Sequence, residues 1–480
     1  VYLSSRFDLG NMDQAVWNSS EGRPLEATDE NGELTSRLKN HADFLLFLFA
    51  PLYWIAPSVH WLLAAQAAVV ALGALPLYWL ARRFLQRDWP AALIAAAYLL
   101  NPGLQSANLF DFHAQTMAGT FLLFAFYFLL EKRLLPFALC AVLAASTKEG
   151  IVLVVAMMGL YAVYPLRRPR WGVLILALGT AYFLAILLLV IPAFNAGEVS
   201  MLVEERYEVF GGSLGGVVRT ALTDPVFTLR YVLAGAKGAY LASLVAPTGF
   251  LAMLAPHLLL IPLPELAVNL LSERPQMTDT RYHYSAPIVP FVYLAAAVGV
   301  RNLLLLLERA KSLRHRPFDR LGRLVPGRTT REKLLIWVCI AILVTGFEID
   351  YRTGPLPLFR SPANDNTAIE PAPASHREAL HEAVALVPED PEVEVSATNA
   401  LGPHLSYRTH LYLFPRIEDA DYVIVDQVRP AYDTNNSTPV LNLQSVRRLR
   451  DDPRYGLIFD ENGVLVFEKK ERPGVSLASS

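Results

Sequence analysis

The sequence predicts an α-helical polytopic transmembrane bundle followed by a soluble α/β domain, and three observations predict it. Of 480 residues, 53% are hydrophobic and only 18% charged, with a mean hydropathy of +0.33, which is more apolar material than a soluble core absorbs. The surplus is unevenly placed: apolar blocks fill residues 44–349, whereas the remainder carries charge throughout. Basic residues gather in short clusters between the apolar runs and form no continuous stripe, so nucleic acid is not an expected partner. Cys140 and Cys339, the two cysteines, both lie inside apolar runs, which rules out a disulfide framework or thiolate metal site in the soluble part.

Taken in order, the chain opens at Val1 on a polar stretch to His41, expected to be a loop on the far side of the membrane with a spanning helix upstream of it. His41 to Pro57 is apolar and aromatic but interrupted by Pro51 and Pro57, which predicts an interfacial or re-entrant helix or half a span. Candidate spans follow near 59–81, 89–101, 114–130, 134–146, 150–165, 171–193, 232–246, 249–264, 285–307 and 334–349. Several are shorter than the roughly 20 residues that cross about 30 Å of hydrocarbon, so their ends draw on polar flanks or are buried among other helices. Arg82, Arg83 and Arg87, then Lys132 and Arg133, then Arg167, Arg168 and Arg170, then the run from Arg309 to Lys333 all fall on one side under this assignment, the side that basic loops prefer. The opposite, extracytoplasmic side receives residues 1–43, 102–113, the corner at Lys148 and Glu149, 194–231, 265–284 and everything after 350.

The expected division is therefore a membrane domain over 1–350, with 1–58 as its first extracytoplasmic loop, a Pro-rich linker over 351–373, and an extracytoplasmic α/β domain over 374–480. In the last, a helix near 375–386, strands at 393–397, 410–414 and 422–426, a helix near 441–450, and a hairpin turning on Glu461, Asn462 and Gly463 alternate as α/β folds do.

Polar residues that could carry chemistry collect on the far side. Asp8 lies between Phe7 and Leu9, and Asp111 between two phenylalanines, where burial raises carboxylate basicity; each is either a general base or a helix cap paired to a neighbour. Asp13, Gln14, His41 and His283 share these loops. Lys148 and Glu149 interrupt apolar sequence on both sides, and a charge at mid-helix costs roughly 2.5–3.5 kcal/mol on insertion scales, so they point inward or sit at a break. They form either a self-satisfied pair, with Gly150 permitting the turn, or a phosphate contact. Arg281, followed by Tyr282, begins RYHYSAPIVP, where Pro287 and Pro290 mark the start of a helix. An Arg there either engages a phosphate through paired charge-assisted bonds or snorkels to headgroups. Asp111 and His113 could ligate a divalent metal, although an i, i+2 spacing alone is weak support. No cofactor is otherwise implied.

These residues carry a resemblance. FDLGNMDQAVWN, LLFLFAPLYWI, LGALPLYWLARR, DFHAQ, STKEG, PELAVNLLS and RYHYSAPIVP, spread over most of residues 1–306, resemble a prokaryotic family of polytopic membrane proteins defined as a domain of unknown function. That family is similar in layout to the GT-C class of integral-membrane glycosyltransferases, which take a sugar from a polyprenyl-phosphate carrier and keep a catalytic aspartate in the first extracytoplasmic loop. The resemblance implies that Asp8 is the catalytic base, that Lys148, Arg281 and Tyr282 meet the donor phosphate, and that Asp13, Gln14, His41, Asp111, His113, Glu149 and His283 line the substrate. It further implies a cell-membrane location and a glycan, lipid or protein acceptor. The chain departs from the protein mannosyltransferases, whose Asp-Glu pair is missing because Leu9 follows Asp8. A transporter, a lipid flippase and a non-catalytic anchored subunit are the rival classes, although no matched pair of interrupted helices marks two halves.

Overall fold

The computed structural model describes residues 4–195, 206–312, 328–355, 373–428 and 438–470. Most of the Arg309–Lys333 run, most of the Pro-rich linker and part of the 194–231 loop lie outside these residues. The chain divides into two compact units: Val1–Arg37, Leu46–Leu63 and Ile369–Ser480 form one, and Leu38–Leu45 with Ala64–Ala368 form the other.

The larger unit is helical. His60–Leu85, Pro169–Phe194, Val289–Arg309 and Arg331–Thr353 are each long and apolar enough to cross a membrane, at 26, 26, 21 and 23 residues. In Pro169–Phe194 only 22% of the apolar window is buried by protein, and Leu174, Leu178, Leu188 and Leu189 are exposed, the surface of a helix solvated by lipid tails. Val289–Arg309 is the converse, 72% buried, and forms the centre of the bundle with Phe291, Tyr293 and Leu294 enclosed. Shorter apolar helices Ala114–Leu130, Leu134–Ala145 and Ile151–Val163 lie between them. The expected spans at 232–246 and 249–264 do not form long helices: Gly235–Val245 ends before Pro247, and Pro256 and Pro262 break the following apolar stretch into single turns, since each proline removes a backbone donor. Ile151–Val163 crosses Pro169–Ala185 so closely that a Cβ added at Gly172 would come within 2.5 Å of the Gly159 carbonyl oxygen, the small-residue contact that lets membrane helices approach.

The basic clusters meet at one end of this unit. Arg83 pairs with Glu131, Arg87 pairs with Glu332, and Arg168 donates to the Leu129 carbonyl at 2.9 Å. Ala114–Leu130, Leu134–Ala145 and Ile151–Val163 each run between this end and the opposite one, so the His113–Gln115 and Ser146–Gly150 segments lie at the end away from the basic clusters.

The smaller unit holds a helix, Asn11–Ser20, a two-stranded hairpin of β1 (Glu26–Thr28) and β2 (Leu34–Ser36), and a five-stranded mixed sheet. Its strands are β3 (Val395–Ala397), β4 (Leu411–Leu413), β5 (Tyr422–Asp426), β6 (Tyr455–Glu461) and β7 (Val464–Lys469), in the order β4-β3-β5-β7-β6. The first three are parallel; β7 is antiparallel to both β5 and β6. Strand alternation sorts the core: Ile424, Val464 and Val466 face the helix Ala374–Ala385, while Val423, Val425, Leu465 and Phe467 face Thr438–Asp451. The β6–β7 turn uses Asn462 and Gly463 with φ of 48° and 80°, the left-handed pair a two-residue hairpin requires. His376 ties the helix Ala374–Ala385 to the sheet, its Nε2 3.2 Å from Asp426 Oδ2 and its Nδ1 2.7 Å from the Asn462 carbonyl.

Candidate functional site

In the helical unit, the break between Leu134–Ala145 and Ile151–Val163 presents Lys148 and Glu149 to the bundle interior. Glu149 Oε1 lies 3.2 Å from His41 Nδ1, and its Oε2 accepts from the Ala42 amide at 3.2 Å. Burial alone would raise the Glu149 carboxyl, but His41 and Lys148 together hold it below the usual carboxylate range. Lys148 Nζ donates to Gln115 Oε1 at 3.0 Å and lies 5.5 Å from the Tyr284 ring centroid. Burial lowers its ammonium, with Glu149 and Glu265 opposing and Arg206 reinforcing the shift. Gln115 Nε2 in turn donates to Glu265 Oε2 at 2.8 Å. Glu265, on the helix Leu263–Leu271, is buried and pushed up to about 7 by desolvation against the pull of Lys148. A Cβ on Gly150 would stand 2.9 Å from Glu265 Oε1, so a side chain at residue 150 would make this carboxylate shift.

Two histidines close the cluster. The rings of His113 and His283 stack with centroids 3.6 Å apart at 17°. His283 is buried and held neutral, first by desolvation and then by His113, Lys148, His41 and Arg206. Among the described residues, His283 Nδ1 and Arg206 Nε are buried without a hydrogen-bond partner. The half-buried Lys148 and Arg206 thus supply positive charge beside buried His283, with donor capacity the protein does not consume, which suits a phosphate.

Of the other residues singled out above, Asp111 is buried at a left-handed turn (φ 53°), where its carbonyl accepts from Gln66 Nε2 at 2.9 Å. Gln66 Oε1 then accepts from the His113 amide at 2.8 Å. Among the described residues no group of three or more His, Cys, Asp or Glu is placed to hold a metal ion. Arg281 forms a fork with Asp279, Nε to Oδ2 at 2.9 Å and Nη2 to Oδ2 at 2.5 Å, and Tyr282 sets its ring edge against Phe110 at 5.0 Å.

Asp8, Asp13 and Gln14 belong to the smaller unit. Asp8 is half-buried in the turn Arg6–Gly10, its amide donating to Ser5 Oγ at 3.2 Å. That turn is seated on Asn399–His404: Arg6 N donates to Asn399 Oδ1 at 2.8 Å, and a Cβ on Gly402 would overlap Arg6. Asp13 is enclosed and accepts from the hydroxyls of Tyr53 and Ser406; burial pushes its carboxyl up to about 7. Gln14 spends its amide on Thr28 and on the carbonyls of Arg408 and Thr409. Both side chains are committed inside the unit.

The structure therefore gathers Lys148, Glu149, His41, His113 and His283 into one cluster and adds Gln115, Glu265 and Arg206, which the sequence reading did not single out. Glu265 had a signal, a lone acid in the apolar stretch IPLPELAVNLL, and Gln115 follows the FDFH aspartate and histidine; Arg206 sits in a charged loop and had none.

Long apolar helices, an inward-facing polar cluster at one end of them and basic segments at the other define a polytopic membrane protein. The chain belongs to the family described as "Predicted membrane protein (DUF2079)", whose model matches residues 1–466. No curated protein matches it. Among solved structures, the chain is similar to a crystal structure of ArnT from Cupriavidus metallidurans bound to undecaprenyl phosphate, at 12% identity and a TM-score of 0.47, over 96% of this chain and 93% of that one.

Proposed function

We propose that the protein is a membrane glycosyltransferase that moves a sugar from a polyprenyl-phosphate donor to an acceptor hydroxyl on the extracytoplasmic face. The observation that carries this reading is the half-buried Lys148, anchored to Gln115 and accompanied by Arg206 and His283, at the end of the bundle away from the basic clusters. A phosphate leaving group is already a stable anion, so departure needs cations and donors rather than a general acid. Lys148, Arg206 and Arg281, the last sharing its charge with Asp279, would take up the negative charge that develops on the phosphate as the bond to the sugar breaks. Asp8 is assigned the remaining task, removing the proton from the attacking hydroxyl, by its resemblance to the first-loop aspartate of the GT-C class. Transfer would proceed with inversion at the anomeric carbon.

The test uses full-length protein in lipid nanodiscs with a panel of polyprenyl-phosphate pentoses and hexoses. Asp8→Asn is expected to retain polyprenyl-phosphate binding and lose transfer by about 10²–10⁴-fold, the contribution of a positioned base. Lys148→Ala is expected to lose binding and co-purified polyprenyl phosphate. Full transfer by Asp8→Asn, or unchanged binding by Lys148→Ala, would refute the respective assignment.

A further inference from the structure

Glu265 is the member of the cluster hardest to reconcile with an anionic ligand. It is buried, lies outside the four long apolar helices, and is hydrogen-bonded to Lys148 through Gln115. Both ends of that amide are occupied, its oxygen by an ammonium and its nitrogen by a carboxylate, so the orientation of Gln115 is fixed and Glu265 steers Lys148 through it. The charged and titratable groups facing Glu265 are Lys148 and Glu149 from the Ser146–Gly150 corner, Tyr207 from the segment before Glu208–Phe210, and Tyr240 from Gly235–Val245. Among the described residues Lys148 is the cation acting on Glu265, and Arg206, next to Tyr207, acts on Lys148. A phosphate placed on Lys148 would bring a second anion beside an ionised Glu265 in a medium that screens poorly, which favours protonation of one of the two.

Resting on the phosphate reading above, we infer that binding of a phosphate monoester at Lys148 is coupled to uptake of one proton by Glu265. Glu265 is then a positioning residue: ionised, it holds Gln115 and through it Lys148; protonated, it releases the cation to the ligand. The proton comes from solvent, the carboxylate becomes a carboxyl, and no covalent bond to the ligand forms. Desolvation already places the Glu265 carboxyl at about 7, so the proton is within reach at neutral pH. By linkage, the ligand raises Glu265 further and protonation of Glu265 tightens the ligand, so affinity falls as pH climbs above about 7.

The experiment is isothermal titration of the full chain in nanodiscs with geranyl phosphate and, separately, inorganic phosphate. Each titration is run at pH 7.5 in buffers of different ionisation enthalpy. The slope of apparent enthalpy against buffer enthalpy counts protons; the phosphates' own second ionisation contributes equally to wild type and variant, so the difference between them is diagnostic. Wild type is expected to take up roughly half a proton or more per phosphate beyond Glu265→Gln. It should also weaken by up to about tenfold per pH unit above neutrality while the variant stays flatter. In wild type alone, which requires no variant to fold, geranyl phosphate should bring up a protonated-carboxyl stretch in the infrared difference spectrum. Tighter binding of geranyl than inorganic phosphate would assign the site to a lipid headgroup, and equal binding to free phosphate; the proton count supports the coupling in either case. Equal proton uptake by wild type and Glu265→Gln, or no new carboxyl band, would overturn the coupling and leave the phosphate site standing. Failure of both probes to bind wild type, or undiminished binding by Lys148→Ala, would remove the site and the coupling with it.

Discussion

Replacing Asp13 should do most damage to the smaller unit, and its effect should depend on pH in a particular direction. The carboxyl is wholly buried and accepts from the Tyr53 and Ser406 hydroxyls, with Tyr407 also bonded to it. Asp13→Ala strands the buried Tyr53 hydroxyl and leaves Ser406 only the Pro403 carbonyl at 3.4 Å; a buried donor left unmade costs about 1–3 kcal/mol, so a loss of that order is expected. The folded carboxyl sits at about 7, above the 3.8 of an unperturbed aspartate. Between those values the native state holds the proton more tightly than the unfolded chain. Stability from this group is therefore full below about 4 and declines as pH rises towards 7, by at most about 1.4 kcal/mol per unit. The readout is amide hydrogen exchange of Asn11–Ser20 in the intact chain at pH 5 and pH 7.5, corrected for intrinsic exchange. Wild type should lose protection at the higher pH, whereas Asp13→Asn, which cannot ionise, should show a smaller change between the two. Protection that increases with pH in wild type, or an Asp13→Asn slope matching it, would refute the reasoning.

Two further substitutions test packing. Gly172→Val forces a branched side chain against the Gly159 carbonyl and Val163, and is expected to cost about 1–3 kcal/mol or more, seen as a lower unfolding temperature in detergent; Gly172→Ala should cost less. His376→Leu leaves the buried Asp426 carboxylate without its imidazole partner and should loosen Ala374–Ala385 by about 1–3 kcal/mol, read as faster exchange in that helix with Pro169–Ala185 unaffected.

How much was legible in the sequence followed the range of the interactions. Apolar periodicity and proline placement are local, so Ala114–Leu130, Leu134–Ala145 and Ile151–Val163 are close to their expected limits, and strand alternation with the Asn-Gly turn located β5, β6 and β7. The apolar stretch after Gly249 misled because its hydropathy satisfies a span while Pro256 and Pro262 forbid a continuous one. The site was half visible for the same reason: Lys148 and Glu149 stand out against apolar neighbours, but the Lys148–Gln115–Glu265 chain joins segments 33 and 150 residues apart, which no local pattern encodes. The first loop is the extreme case. Nothing local in residues 1–58 tells that Gln14 donates to the Arg408 carbonyl 394 positions away.

That separation has a consequence for how the chain matures. Arg6, Asp13 and Gln14 have nearby partners in Thr28 and Tyr53, but gain the rest only once Asn399, Ser406, Arg408 and Leu411 exist. During synthesis this segment must wait, only partly bonded, while the intervening helices are made. A nascent chain halted before Asn399 would leave the Arg6 guanidinium and the Asp13 carboxyl short of part of their docking surface, so the smaller unit is completed only after the helices that separate its parts in sequence.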